Sequence, residues 1–207
     1  MINLPIYLDD HATTRVDSRV VDAMLPYLTN IFGNPDSVNH RFGWDAQQAV
    51  DNSRQSIASC FQAKPKDIVF TSGATESNNL ALRGVCLRNQ QKGKHVISVV
   101  TEHHAILDPL DRLRRREGFE VTLLPVSKRE PGPIGAVDLA QLEAAIRSDT
   151  ILVSVMFANN EIGTIQPIAE IGKFCRERNI LFHTDATQAV GRIPIDGDAM
   201  HIDLMRF

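Results

Sequence analysis

The sequence predicts an α/β fold in which helices cover both faces of a mainly parallel sheet. From residue 67 onward, short apolar runs typical of strands alternate with longer segments of helical periodicity. That alternation favours right-handed β-α-β units, which build parallel sheets. Polar clusters follow four of the predicted strands, at 72–78, 101–104, 158–161 and 185–188. Because ligands bind beyond the carboxyl ends of parallel strands, these clusters predict one pocket at a common edge.

Composition narrows the classes of protein to consider. The 207 residues are enough for one large domain or a domain and a half. A net charge of −3 gives no general attraction to nucleic acid, and no apolar run is long enough to span a membrane. The first residues lack the features of a signal peptide. Cys60, Cys86 and Cys175 are widely spaced without a Cys-x-x-Cys pair, which predicts a reducing, cytoplasmic location and argues against structural zinc.

The first 16 residues are predicted to form an N-terminal segment, and residues 17–207 a single large domain. Asp9, Asp10 and His11 are metal-ligand types, but adjacent residues of an extended chain point to opposite sides and chelate poorly. No metal site is therefore expected. Beyond this segment the pattern predicts two helices and then a turn with a short strand, over 17–28, 44–61 and 65–71.

The segment Ser72-Gly-Ala-Thr-Glu-Ser-Asn-Asn79 follows that strand and leads into a helix predicted over 80–87. Backbone N–H groups at the start of a helix bind anions, and the helix dipole adds to the attraction. Ala74 leaves room for a ligand, and Thr75 can donate from its hydroxyl. The motif predicts a phosphate site, and equally a capping box built on Ser72 or Thr75.

A buried strand predicted over 95–100 ends at Thr101-Glu-His-His104, where the next helix begins. His103 is thereby placed at the same edge as Asp185. A neutral imidazole there could stack on an aromatic cofactor or move protons, whereas a lone histidine in this position is more often a cap. That helix is predicted to end near Arg116. A strand over 120–126, a surface loop over 128–135 and a helix over 138–146 follow.

Two further strands, predicted over 150–157 and 180–184, also end in polar residues. Asn160 follows the first strand and can donate to a phenolate or a carboxylate, or form a turn. Asp185 and Gln188 follow the second. An acid in that position can hold a cationic ring nitrogen, as in a pyridoxal phosphate enzyme, or cap the strand. The remaining predicted elements are a helix over 167–178 and a strand from 201.

At these residues the chain resembles the cysteine desulfurases, in the aminotransferase class V group of fold-type I enzymes that use pyridoxal 5′-phosphate (PLP). The matching segments occur in family order and at family spacing over essentially the whole chain, and they are strong only in combination. They are Tyr7-Leu-Asp-Asp-His-Ala-Thr-Thr, Phe32-Gly-Asn-Pro, Thr71-Ser-Gly-Ala-Thr-Glu-Ser-Asn-Asn, Thr101-Glu-His, Asn159-Asn-Glu-Ile-Gly and His183-Thr-Asp-Ala-Thr-Gln. The resemblance implies the large domain of such an enzyme, incomplete at its C-terminus.

The resemblance also implies that PLP is the cofactor and gives roles to its contacts. Ala74 and Thr75 would bind the phosphate through backbone and hydroxyl groups. His103 would stack on the ring and, as the catalytic residue, assist proton transfer.

The other three implied contacts lie further along the chain. Asn160 and Gln188 would hold the substrate end and the ring oxygen O3′. Asp185 would pair with the ring nitrogen and keep the ring protonated, and therefore able to accept electrons.

The family's reaction converts L-cysteine into L-alanine and an enzyme-bound persulfide, whose sulfur serves iron–sulfur cluster assembly or other sulfur-transfer pathways. The partners that the resemblance implies are L-cysteine, a sulfur-acceptor or scaffold protein, and a second copy of the chain in a homodimer.

The chain departs from the family near its end. By family spacing, the lysine that binds PLP covalently would lie about four residues beyond Phe207. Arg206 stands where the family usually has Ser, and no cysteine matches the position of the persulfide. The 207 residues alone are therefore expected to be an inactive N-terminal part. Three alternatives remain open. The chain could belong to a selenocysteine lyase or to another class V enzyme, or it could be a non-catalytic shortened homologue that acts as a binding or dimerisation module.

Overall fold

The computed structural model describes residues 5–128 and 133–207. The first residues and part of the loop predicted over 128–135 therefore lie outside the described residues. Contacts divide the chain into two compact units, one ending at Ile68 and the other running from Val69 to Phe207. The division predicted after residue 16 stays a prediction.

The first unit contains the helices α1 (Ser18–Thr29) and α2 (Arg41–Cys60) and a 3-10 turn at Pro65–Asp67. Asp17 caps α1, because its carboxylate accepts from the N–H of Arg19 at 2.9 Å. Helix α2 begins at Arg41 rather than at residue 44. The imidazole of His40 provides its cap by accepting from the N–H of Gly43 at 3.3 Å.

The second unit is built on a five-stranded sheet in which every neighbouring pair is parallel. In chain order the strands are β1 (His95–Val99), β2 (Glu120–Leu124), β3 (Thr150–Ser154), β4 (Leu181–Asp185) and β5 (Leu204–Arg206). Their order across the sheet is β2-β1-β3-β4-β5. The predicted parallel sheet is confirmed.

Helices of the same unit flank the sheet: α3 (Ala74–Asn89), α4 (His104–Glu117), α5 (Leu139–Ala145) and α6 (Ile168–Glu177). Every residue of β1 and β3 is buried, as is typical of parallel strands with helices on both faces. The core cluster contains side chains of α3, α4, β1 and β3, together with Phe119: Leu82, Cys86, Val96, Ile106, Leu110, Leu113, Ile151 and Leu152.

The strand order fixes where a ligand crevice opens. From β1 the chain moves outward to β2, then crosses back to β3 and continues through β4 to β5. The order therefore reverses between β1 and β3. In open α/β sheets, ligands bind beyond the carboxyl ends of the strands at such a switch point.

Two predictions about the elements are wrong. Residues 68–73 join neither a helix nor the sheet, although a strand was predicted to end at 71. A strand needs a neighbouring strand to pair its backbone N–H and C=O groups, and within the described residues no strand lies beside this segment. The side chains of Val69 and Phe70 are 65% and 50% exposed. Helix α3 also begins at Ala74 rather than at 80, because its first turns are polar and hide the helical period.

Candidate cofactor site at the carboxyl edge of the sheet

Asp185 ends β4 at the carboxyl edge of the sheet, and its side chain is almost buried. Its Oδ1 accepts from the N–H and the hydroxyl of Thr187 at 3.1 and 2.5 Å. Its Oδ2 accepts from the side-chain amide of Asn78 in α3 at 2.9 Å. The turn after β4 and the start of α3 together fix the orientation of this carboxylate.

Arg206 is the second partner of Oδ1. It is the register partner of Asp185 in the parallel pair of β4 and β5, and its Nη1 lies 3.1 Å from Oδ1. The side chains of Arg206 and Asp185 are 13% and 10% exposed, so the ion pair is largely shielded from water. No sequence pattern predicted this contact.

The first turn of α3 contains the predicted phosphate contacts Ala74 and Thr75. The alternative prediction, a capping box built on Ser72 or Thr75, is wrong, because the residue at the cap is Gly73 and no side chain makes a capping bond there. Glu76 accepts from the N–H and the hydroxyl of Ser72, both at 2.6 Å, and these bonds lower the pKa of Glu76. These bonds use the N–H of Ser72 and not those of Ala74 and Thr75, so they do not compete with anion binding at the helix start.

His103 caps α4 and lies beside the start of α3. Its Nδ1 accepts from the N–H of Ala105 at 3.1 Å, which assigns a neutral ring with the proton on Nε2. His103 and Thr75 line one groove of about 320 Å³. The other lining residues are Asn79, His104, Ala105, Asp108, Pro109 and Arg112. The capping alternative for His103 is therefore correct, and it leaves Nε2 available to a ligand.

Glu102 is a buried acid at this edge, and the sequence predicted no role for it. Burial raises its pKa to about 8; the backbone N–H of Met156, at 2.6 Å, opposes that shift and the charge of Asp185 adds to it. Glu102 is consequently uncharged at neutral pH. Its bond to Met156 joins the segment after β1 to the segment after β3, the two strands on either side of the switch point.

Asn159 and Asn160 follow β3, and the structure separates their roles. Asn159 forms the turn, because its Oδ1 accepts from two backbone N–H groups at 2.9 Å and its amide donates to the carbonyl of Thr101 at 3.1 Å. Asn160 is half-buried beside it. Gln188 is half-buried in the turn after β4 and accepts from Arg192 at 3.0 Å. Both predicted residues therefore lie in turns at the carboxyl edge.

Several buried polar atoms at this edge have no hydrogen-bond partner within the described residues. They are Asn78 Oδ1, Thr101 Oγ1, Glu102 Oε2, His183 Nε2 and Arg206 Nε. Burial lowers the pKa of His183 to about 4, so its ring is neutral. Because buried polar groups are normally paired, these atoms are candidate partners for a polar ligand. A strand-end acid, free N–H groups at a helix start and a neutral imidazole fit a phosphorylated pyridine ring.

Sequence reasoning missed Asn78, which no pattern argument had singled out. It lies one turn along α3 from Thr75 and four residues before the buried Leu82, so it occupies the inward face of the helix. A polar residue on an otherwise apolar face was the available signal. For Glu102 the signal was an acid directly beside a buried strand end.

Two other kinds of site are not seen among residues 5–128 and 133–207. No three His, Cys, Asp or Glu side chains are grouped so that they could hold a metal ion. Within the same ranges, no helix combines the length and the apolar character needed to cross a bilayer.

The family model for class-V aminotransferases matches residues 6–207. Among curated proteins, the cysteine desulfurase IscS of Glaesserella parasuis serovar 5 is 58% identical over 208 aligned positions, covering all of this chain and 50% of the relative. The chain spans about half the length of the curated relatives it matches.

Solved structures give the same picture of similarity. A NifS-like protein matches with a TM-score of 0.87 and 37% identity over 94% of this chain and 52% of its own. A structure described as SspA in complex with cysteine matches with a TM-score of 0.86 and 38% identity, over 95% of this chain and 55% of its own.

Proposed function

The chain belongs to the class-V aminotransferase family, and on that premise we propose that it is the N-terminal part of a PLP-dependent cysteine desulfurase. The protein that contains it would convert L-cysteine into L-alanine and an enzyme-bound persulfide. Its closely similar curated relatives are cysteine desulfurases, and their fold class and family are those of this chain.

One observation carries the proposal: the helix start that contains Thr75 also provides Asn78, which binds Asp185 at 2.9 Å. A phosphate acceptor site and a ring-nitrogen partner are thus fixed relative to each other by one helix. His103, on the groove shared with Thr75, completes a set of groups suited to a flat, anionic ring.

Each residue of the proposed site has a task that follows from its contacts. The N–H groups of Ala74 and Thr75 would bind the phosphate, and the helix dipole would favour its charge. Asp185 would hold the ring nitrogen, with Asn78 and Thr187 keeping its carboxylate oriented. PLP, when bound, supplies the electron sink for removal of the substrate's α-proton.

The cap that His103 forms limits which of its ring nitrogens can donate or accept a proton. Because its Nδ1 accepts from the N–H of Ala105, its Nε2 is the donor. His103 would stack on the ring and donate from Nε2. To act as a base it would have to give up the cap or move its proton between the two nitrogens. Asn160 and Gln188, in the turns after β3 and β4, would hold the substrate and the ring oxygen.

The proposal includes the setting of the whole protein. L-cysteine is the substrate, the sulfur passes to an acceptor or scaffold protein, and the active form is a homodimer. Residues 17–207 belong to the PLP-binding large domain. A reducing, cytoplasmic location fits Cys60, Cys86 and Cys175, all of which are free thiols.

The test uses the full-length protein that contains these residues, supplied with PLP. L-cysteine should yield alanine and sulfide in equal amounts in the presence of a thiol, and L-selenocysteine offered in parallel distinguishes a lyase for that substrate.

Asp185→Asn should weaken PLP binding at least about tenfold, because it removes the charge that faces the ring nitrogen. Asp22→Asn, on the exposed side of α1, is the matched control and should bind PLP normally. Absence of PLP binding, or of alanine from L-cysteine, would exclude the proposed function.

A further inference from the structure

The proposed function gives no task to Arg206, although this arginine forms a buried ion pair with Asp185. Its Nη1 lies 3.1 Å from Oδ1, and both side chains are close to nine-tenths buried. The two residues are direct partners in the register of β4 and β5, so the sheet itself keeps the charges together. At such burial the attraction is much stronger than on a surface.

The hydrogen bonds of Asp185 leave limited room for another donor. Oδ1 already accepts from Thr187 twice and from Arg206 once. Oδ2 accepts from Asn78. An ionised carboxylate has about four acceptor positions, so a further donor has to share Oδ2 with Asn78 or displace an existing bond.

The charges around Asp185 make Arg206 its main electrostatic partner. Glu102 is protonated at neutral pH because burial raises its pKa to about 8. His183 is neutral because burial lowers its pKa to about 4. Asp185 and Arg206 therefore form a pair of nearly zero net charge, whereas an unpaired carboxylate would present a full negative charge to a ring nitrogen.

We propose that Arg206 competes with the cofactor's ring nitrogen for the Asp185 carboxylate and so weakens both cofactor binding and protonation of the ring. This inference rests on the proposed function. A second cation beside the same carboxylate disfavours the protonated ring, because like charges repel in a shielded site. Arg206 is thus a positioning residue that lowers the strength of the electron sink.

The test measures binding of pyridoxamine 5′-phosphate, by fluorescence, to the full-length protein that contains these residues. This probe has no aldehyde, so its binding does not require a lysine. Arg206→Gln should lower its Kd about tenfold and raise the pKa of the bound ring nitrogen by about one unit, since charge neighbours of this kind shift a pKa by one or more units. Arg206→Lys keeps the charge and should stay within about twofold of the wild type.

Two further variants make the result specific. Arg116→Gln removes an exposed arginine from the last turn of α4 and should leave the probe's Kd unchanged. In an Asp185→Asn background, Arg206→Gln should have no effect beyond about twofold, because the contested carboxylate is gone. Urea unfolding of each variant confirms that it is folded.

The outcomes distinguish a wrong role for Arg206 from a wrong proposed function. Tighter binding by Arg206→Gln supports the competition, even where the wild type binds too weakly to measure. Wild-type binding that Arg206→Gln leaves unchanged or weakens would overturn the role of Arg206 and leave the proposed function standing. Failure of the wild type and of Arg206→Gln alike to bind the probe would overturn the proposed function, and this inference with it.

Discussion

At the residue scale, Asp185 receives contacts from three parts of the second unit. Thr187 belongs to its own turn, Asn78 to α3 and Arg206 to β5. The bond from the N–H of Thr187 is the strand-capping contact that a turn-forming Asp makes. Asp185 is therefore a strand-capping residue, and it is also held by residues distant in the chain.

Asn78 offers a direct test of that support. Asn78→Ala removes the donor to Oδ2 of Asp185 and should lower the free energy of unfolding by about 1–3 kcal/mol, the usual cost of a lost partner for a buried charged group. Urea unfolding of the cofactor-free protein measures this. Asn79→Ala, which removes only a bond to the carbonyl of Thr75 within the same helix, should change the free energy by about 0.5 kcal/mol or less. Equal effects of the two substitutions would contradict a special role for Asn78.

Glu102 predicts how stability depends on pH. Its pKa in the folded state, about 8, lies above its value of 4.5 as a free side chain. The folded state therefore binds the proton more tightly, and this group's contribution is fully present below pH 4.5 and is lost as pH rises toward 8. Since one pKa unit corresponds to about 1.4 kcal/mol, the loss amounts to a few kcal/mol.

Glu102→Gln should remove that loss, because the amide cannot ionise and its carbonyl can still accept from Met156. Urea midpoints between pH 5 and 8.5 should fall less steeply in this variant than in the wild type. Glu117→Gln changes a partly exposed acid at the end of α4 and should leave the wild-type slope intact. A slope unaffected by Glu102→Gln would show that this carboxyl is not protonated at neutral pH.

At the scale of elements, the predicted site residues lie where strands end and helices begin. Asp185 is the last residue of β4, His103 is the cap of α4, and Thr75 is in the first turn of α3. The periodicity of the sequence predicted the junctions at Asp185 and His103 but not the start of α3, since apolar runs and capping residues are local signals and the first turns of α3 are polar. It failed for the strand predicted before residue 72, because strand formation depends on a neighbour that a local pattern does not reveal.

Helix packing can be tested at two helical glycines whose surroundings differ. Gly172 lies in α6, and a Cβ added there would be 1.9 Å from the backbone oxygen of Met200, so Gly172→Ala should destabilise the fold by about 1–3 kcal/mol or more. Gly84 lies in α3, where an added Cβ meets no atom within 4 Å. Gly84→Ala should instead stabilise by about 0.5–1 kcal/mol, because alanine is the better helix former.

Thermal unfolding of both variants gives the comparison. The same chemical change should thus move the melting temperature in opposite directions at the two positions. A stabilising Gly172→Ala would mean that the segment around Met200 yields easily and that the close approach does not constrain α6.

At the scale of the whole molecule, the core controls the reactivity of the thiols. Cys86 in α3 and Cys175 in α6 are fully buried, and burial raises the pKa of each to about 12. Cys60, at the end of α2, is exposed. Neither buried thiol is therefore suited to form a persulfide in the folded protein, which agrees with the absence of a family match at these positions.

Brief alkylation at pH 8 followed by mass spectrometry should label Cys60 and leave the two buried thiols unmodified. Labelling of all three should appear only after unfolding in urea. Modification of Cys86 or Cys175 in the folded protein at a rate close to that of Cys60 would contradict the burial of the core.

The sequence by itself determined the fold class, the strand and helix alternation and the set of polar clusters, because periodicity, caps and turn residues are encoded within a few neighbours. Only the tertiary structure decided which clusters touch. The contact between Asn78 and Asp185, the ion pair of Asp185 with Arg206 and the protonated state of Glu102 each join residues distant in the chain, or depend on burial by such residues. Their energies come from geometry and loss of water, and neither quantity can be read from the order of residues alone.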